Sequence, residues 1–253
     1  MTLNFDRVGR YLCKVVGGKY DGKVVSVATE DSDEINKSFS QITIDGKFQQ
    51  VPDPDTERTI LYVTGPSGSG KSTYTANYIK SYKKMYKSNE IYCFSALTDD
   101  ESLDAIKPKS ICIDDRLVTD PIGVAEFADS LVVFDDIDVI SDKKQREAVY
   151  SLLNQILEVG RHHRISCIIT NHLSTAGKDT RRVLNECHSV TFFPFSGSIK
   201  GLKYLLTEYL GIDKKDFKKI KGKKSRWATV FKMYPQVIMT EKDLWLPAMD
   251  DDD

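Results

Sequence analysis

Apolar residues recur along this chain with two alternating periods. Short runs that are apolar on both faces fall at residues 60–64, 91–96, 111–113, 131–134, 165–170 and 190–195. Stretches of helical spacing lie between them, from 71 to about 86 and from about 143 to 159. Runs of this length without polar alternation predict buried strands, and helices between them predict parallel pairing with both sheet faces covered. The expected core is therefore α/β, a mostly parallel sheet with helices on both faces.

The ends of the chain follow other patterns. Before residue 51, β-branched runs at 11–16, 23–27 and 41–44 are separated by Gly17-Gly18, a polar stretch from 30 to 37 and Asp45-Gly46, which predicts a small antiparallel β element. Pro52 and Pro54 cannot donate to a ladder, so residues 51–56 read as a linker. After residue 197 a helical stretch, ending at Gly211, opens a basic segment with two more strand-like runs at 228–233 and 237–240, before the acidic tail of residues 250–253. The expected organisation is a β element and linker over 1–58, a core over 59–196, and a basic helical/β extension over 197–253.

Composition narrows the class. The 253 residues carry 36 Lys+Arg against 37 Asp+Glu, a net charge of -1, which fits neither a disordered polyelectrolyte nor a uniformly basic nucleic-acid coat. Charge is instead local: from Lys200 to Lys232, eleven cations face three anions, leaving +8. Five scattered cysteines without a CxxC predict a reducing, intracellular setting. No stretch has signal-peptide form or the ~18 apolar residues of a membrane span, so the chain is expected to be soluble.

The chemistry begins at Gly65-Pro66-Ser67-Gly68-Ser69-Gly70-Lys71-Ser72-Thr73, which fits G-x-x-x-x-G-K-[ST] between a predicted strand and a predicted helix. Glycines allow backbone N–H groups to approach phosphate closely, Lys71 is placed to reach the β and γ oxygens, and the Ser72 hydroxyl to ligate Mg²⁺. Together with the strand pattern this predicts a P-loop NTPase using ATP and Mg²⁺. The run 131–134 ends in Asp135-Asp136: Asp135 is assigned to the metal and Asp136 to the attacking water. Asp114-Asp115 also end an apolar run, but a shorter one, and read as a strand exit. Asn171, at the end of the run 165–170, is placed to hydrogen-bond the water or the γ-phosphate, or else to start a turn. Arg161 and Arg164 follow a long helix, where two roles are open: pairing with the helix dipole, or an arginine finger for a neighbouring subunit's nucleotide. Lys214, Lys215, Lys218, Lys219, Lys221, Lys223 and Lys224 are candidate DNA contacts, because each cation set on a phosphate releases counterions without regard to base sequence.

The ordered set GPSGSGKST, LVVFDDID, GRHHRISCIITNH and Arg181-Arg-Val-Leu-Asn185 before SVTFFPF resembles the genome-packaging ATPases of large nucleocytoplasmic DNA viruses, a branch of the HerA/FtsK P-loop motors. The likeness covers residues 59 to 195. It implies an extra strand between the phosphate-loop strand and the acidic strand, and a homo-oligomeric ring, usually a hexamer. It also implies ATP hydrolysis that drives double-stranded DNA into a capsid, a capsid or portal partner, and a place at the host-cytoplasmic site of virus assembly or in the virion. The roles it implies for Lys71, Ser72, Asp135, Asp136, Asn171 and Arg161 match those above. Two departures are Asp136 where the group usually has Glu and Asn171 where it often has Gln. A nucleotide or nucleoside kinase shares the phosphate loop, and a helicase-loader-like, ATP-switched DNA-binding module is a further alternative; the water-facing carboxylates favour hydrolysis.

Overall fold

A computed structural model of the chain describes residues 1–30, 32–95, 103, 105–172 and 177–247. The chain divides into two compact units, one formed by 1–55 with 189–253 and the other by 56–188. The acidic tail and Ala96 lie outside the described residues.

The first unit opens with β1 (Thr2–Asn4), β2 (Arg10–Val16), β3 (Val24–Ala28), β4 (Gln41–Thr43) and β5 (Lys47–Gln50). An antiparallel sheet in the order β1-β3-β2-β5 forms from four of them. The turn between β2 and β3 begins at Gly17 and Gly18, both at φ 75°, a left-handed conformation that costs glycine little.

The second unit contains β6 (Ile60–Thr64), α1 (Lys71–Met85), β7 (Glu90–Ser95), β8 (Lys109–Ile111), α2 (Asp115–Thr119), β9 (Ser130–Asp135), α3 (Lys143–Val159), β10 (Ser166–Asn171) and α4 (Gly177–Glu186). Its strands lie in the order β6-β10-β9-β7-β8, all parallel. Every residue of β6, β9 and β10 is buried, as strands covered on both faces must be. β10 sits between β6 and β9, the insertion that the family resemblance implies.

Two helices show how local sequence sets the packing. α1 starts at Gly70 (φ 111°) and buries Tyr74, Tyr78, Ile79 and Tyr82, one face at helical spacing. α3 is capped by the Asp142 carboxylate, which accepts from Gln145 N–H at 2.9 Å, and it buries Val149, Leu152, Leu153, Ile156 and Leu157. The C-terminal carbonyls of α3 are met by Arg58, which donates to Ile156 O at 2.6 Å and Leu157 O at 2.8 Å. The cation that answers this helix terminus therefore comes from the linker side.

The first unit resumes with β11 (Ser189–Phe192), α5 (Ile199–Tyr204) with a π turn to Tyr209, α6 (Lys214–Gly222), β12 (Ala228–Phe231), β13 (Val237–Thr240) and β14 (Asp243–Trp245). An antiparallel run β4-β14-β13-β12-β11 results. Leu3, Leu12, Val15, Val25 and Phe48 share one core with Phe231, Val237, Met239 and Leu244, so the N-terminal β element packs on strands from the far end of the chain.

Candidate active site

Parallel register brings the ends of β6, β9 and β10 to one edge: Asn171 lies opposite Thr64, and Ile169 opposite Phe134. Loops beyond that edge are where ligands meet an open α/β sheet. Gly65 continues from β6 and donates its N–H to Asn171 O at 3.1 Å, and Gly68 (φ 73°) and Gly70 turn the chain into α1. Both positions need left-handed backbone, which explains glycine there. The Lys71 ammonium is buried, 3.0 Å from Gly65 O and 3.3 Å from Asp136 Oδ1. The ammonium thus bridges the phosphate loop and the turn that follows β9.

Neighbouring residues of a strand point to opposite faces, yet Asp135 and Asp136 reach the same group. Asp136 adopts φ 48°, ψ 39°, and this left-handed turn at the end of β9 swings its carboxylate round. The Thr170 hydroxyl lies 2.8 Å from Asp135 Oδ1 and 3.0 Å from Asp136 Oδ1, and it accepts from Asp136 N–H at 2.8 Å. With one proton to give, it serves one carboxylate at a time while its lone pair holds the turn. Asp135 and Asp136 are both buried, and Ser95 Oγ lies 3.4 Å from Asp135 Oδ2.

His172 follows directly. Its Nε2 lies 3.5 Å from Asp136 Oδ2, its Nδ1 3.5 Å from Asp138 Oδ1, and its backbone N–H donates to Asp138 Oδ2 at 2.9 Å. Asn171 is fully enclosed: its amide nitrogen meets the Tyr62 hydroxyl at 3.4 Å, and its Oδ1 has no protein partner. Burial pushes the Tyr62 phenol up, with the Asn171 hydrogen bond opposing, so that hydroxyl stays neutral. The Ser69 hydroxyl is likewise buried without a protein partner. Buried polar atoms left open beside the phosphate loop fit a polar ligand, as an ATP and Mg²⁺ site requires.

Of the residues picked out from sequence, Lys71, Asp135, Asp136 and Asn171 converge at this edge, with Ser72 and Thr73 in the first turn of α1. Arg161 and Arg164 do not join them. Both are exposed: Arg161 pairs with Glu57, just before β6, and Arg164 donates to Asp129, just before β9, at 2.5 and 2.7 Å. Those partners precede the strands, so both arginines lie at the end of the sheet opposite the phosphate loop. Their hydrogen bonds hold Glu57 and Asp129 below the usual carboxylate range. Asp114 caps α2, accepting from Arg116 N–H at 2.9 Å, consistent with a strand exit.

The seven candidate DNA-contact lysines, all in the first unit, divide in two. Lys219 stands 4.5 Å over the Trp245 ring, Lys221 donates to Pro194 O at 2.6 Å, and Lys223 pairs with Asp243 at 2.6 Å. Lys214, Lys215, Lys218 and Lys224 are exposed.

Thr170, Asp138 and His172 escaped the sequence reading. The available signal was Thr170-Asn-His172, a polar exit from a strand that must neighbour the acidic one.

No family model matches the chain. The uncharacterized protein V3 of Sputnik virophage is 41% identical over 242 residues, spanning 94% of this chain and 96% of V3. The chain belongs to the V3 family. Among solved structures, the DNA-packaging ATPase from Sulfolobus turreted icosahedral virus aligns with a TM-score of 0.50 at 15% identity, over 77% of this chain and all of that one. The genome packaging NTPase of Sulfolobus turreted icosahedral virus 2, in complex with ATP-gammaS, aligns at 0.48 with 14% identity, over 74% and 97% of the two chains. The first likeness is one of fold, so this V3-family chain has the P-loop NTPase fold. Among the described residues no helix is long and apolar enough to cross a membrane.

Proposed function

We propose that the chain is an ATP-hydrolysing motor of the HerA/FtsK type that translocates double-stranded DNA, packaging a viral genome into a capsid. The observation that carries this is the convergence of buried Lys71, Asp135 and Asp136 at the exit of three parallel strands, behind a glycine-shaped phosphate loop. The fold shared with a viral DNA-packaging ATPase supports the choice among P-loop functions.

In this account, N–H groups of the loop from Gly65 to Thr73 bind the phosphates and Lys71 leaves Asp136 for the β and γ oxygens. Ser72 and Asp135 would hold Mg²⁺, which supplies neutralising charge at the phosphates. Asp136 accepts a hydrogen bond from the attacking water and orients it in line with the γ-phosphorus, and Asn171 Oδ1, which has no protein partner, would accept the water's second hydrogen bond. Exposed Lys214, Lys215, Lys218 and Lys224 track DNA phosphates. Arg161 acts on the nucleotide of the adjacent subunit in a hexameric ring, a role that suits a cation remote from its own chain's loop.

Phosphate release from ATP, measured for the wild type, Lys71→Ala, Asp136→Asn and Arg161→Ala, tests this. Lys71→Ala and Asp136→Asn should be inactive, Arg161→Ala inactive but able to bind ATP, and mixed Lys71→Ala and Arg161→Ala oligomers should regain turnover. Transfer of phosphate to an added nucleotide or nucleoside instead of water would replace the motor with a kinase.

A further inference from the structure

We propose that His172, whose backbone N–H is held by Asp138, is a positioning residue that fixes the Asp136 carboxylate for its work on water, an inference that rests on the hydrolytic reading above. The two oxygens of Asp136 face different elements. Oδ1 is 3.3 Å from Lys71 Nζ and 3.0 Å from the Thr170 hydroxyl, whereas Oδ2 is 3.5 Å from His172 Nε2. When Lys71 turns to phosphate, the hold on Oδ1 weakens, and the contact at Oδ2 remains to keep the carboxylate from rotating.

The backbone that carries the ring is itself held. Asp138 sits in the short turn Ile137–Val139, two residues after Asp136, and accepts the His172 backbone N–H at 2.9 Å while its other oxygen lies 3.5 Å from Nδ1. One oxygen of this carboxylate thereby anchors the main chain of His172 by a hydrogen bond, while the other only faces the ring: no hydrogen bond joins Asp138 Oδ1 to His172 Nδ1, which leaves the single N–H of a neutral ring free to sit on Nε2, toward Asp136. The turn after β9 and the exit of β10 become one unit, and Asp136 lies between them. The His172 side chain is 26% exposed, against 9% for Asp136, so the ring is the more solvent-accessible member of the pair. A carboxylate one methylene shorter than glutamate has less reach to spare, and a misplacement of ~1 Å costs on the order of 100-fold in rate.

The test compares kcat, KM for ATP and the affinity of a fluorescent ATP analogue in the full-length His172→Ala, His172→Gln, His172→Asn and Asp138→Asn proteins. Glutamine sets an amide N–H close to the place of Nε2, and asparagine sets one close to Nδ1. Expected is a fall in kcat of about tenfold or more for His172→Ala and His172→Asn, with KM and analogue affinity within about twofold of wild type. His172→Gln should recover most of the lost kcat, and Asp138→Asn should lower kcat without lowering affinity. The proposal is overturned by a His172→Ala kcat within about twofold of wild type, by equal behaviour of the Gln and Asn variants, or by a loss seen in affinity instead of kcat. A requirement for zinc or manganese that vanishes in His172→Ala would also overturn it, because Asp136, Asp138 and His172 present ligand atoms within 4.8 Å of one another. A wild type without ATP hydrolysis would sink the hydrolytic reading and this inference together; an active wild type matched by His172→Ala sinks this inference alone.

Discussion

Replacing Thr170 with valine changes a single hydroxyl into a methyl while keeping the β-branched shape of a strand residue. Thr170 is fully buried, and its hydroxyl accepts Asp136 N–H at 2.8 Å while lying 2.8 Å from Asp135 Oδ1 and 3.0 Å from Asp136 Oδ1. Valine strands the Asp136 N–H, at a cost of roughly 1–3 kcal/mol, and removes a donor to a carboxylate, worth roughly 1.5–3 kcal/mol. These terms share one atom and do not add fully, so about 2–4 kcal/mol is expected. For a chain of this size that lowers the midpoint of thermal unfolding by roughly 5–15 °C. Thr75→Val is the matched control: Thr75 is equally buried, but its hydroxyl has no protein partner, so its removal should change stability by less than ~0.5 kcal/mol or raise it. Urea unfolding of both variants, followed by circular dichroism, reads the difference. A Thr170→Val protein within ~0.5 kcal/mol of wild type would refute the claim that this hydroxyl holds the acidic turn.

Changing Lys214, Lys215 and Lys218 together to alanine should lower the slope of log affinity for double-stranded DNA against log salt by up to about 3, with little effect on stability, as filter binding over a salt series would show. The triple alanine variant at Lys219, Lys221 and Lys223 should lose stability, because those side chains are engaged with Trp245, Pro194 and Asp243. In the native protein a thiol reagent at neutral pH should label one cysteine, the exposed Cys112, since the other four are buried and burial pushes the Cys13 and Cys167 thiols up; two or more fast thiols would contradict the packing. Asp142→Ala should cost about 1 kcal/mol in chemical denaturation through loss of the α3 cap.

Residues whose role is set by their chain neighbours were legible. The phosphate loop declares itself because strand, glycines, lysine and helix are contiguous, and Asp135-Asp136 because they end an uninterrupted apolar run. Thr170 and His172 act through residues more than thirty positions away, and only the parallel register of β9 and β10 sets them against the aspartates. The same limit hid β14 and β4, which pair across some 200 residues, and so the shared core of the two chain ends. The lysines read as one basic stretch in sequence. α6 winds them onto different faces, and the partners of Lys219 and Lys223, Trp245 and Asp243, lie on β14. Sequence leaves Arg161 and Arg164 open between the α3 dipole and a finger role; the α3 terminal carbonyls are met by Arg58, more than ninety residues upstream.

Steady-state ATP hydrolysis by the full chain, with and without long double-stranded DNA, over a salt series and with the oligomeric mass recorded, tests the motor most directly. A multimer whose turnover rises with DNA, and loses that rise as salt screens the lysines, is the predicted result. Turnover that is the same with and without DNA at every salt concentration would contradict it.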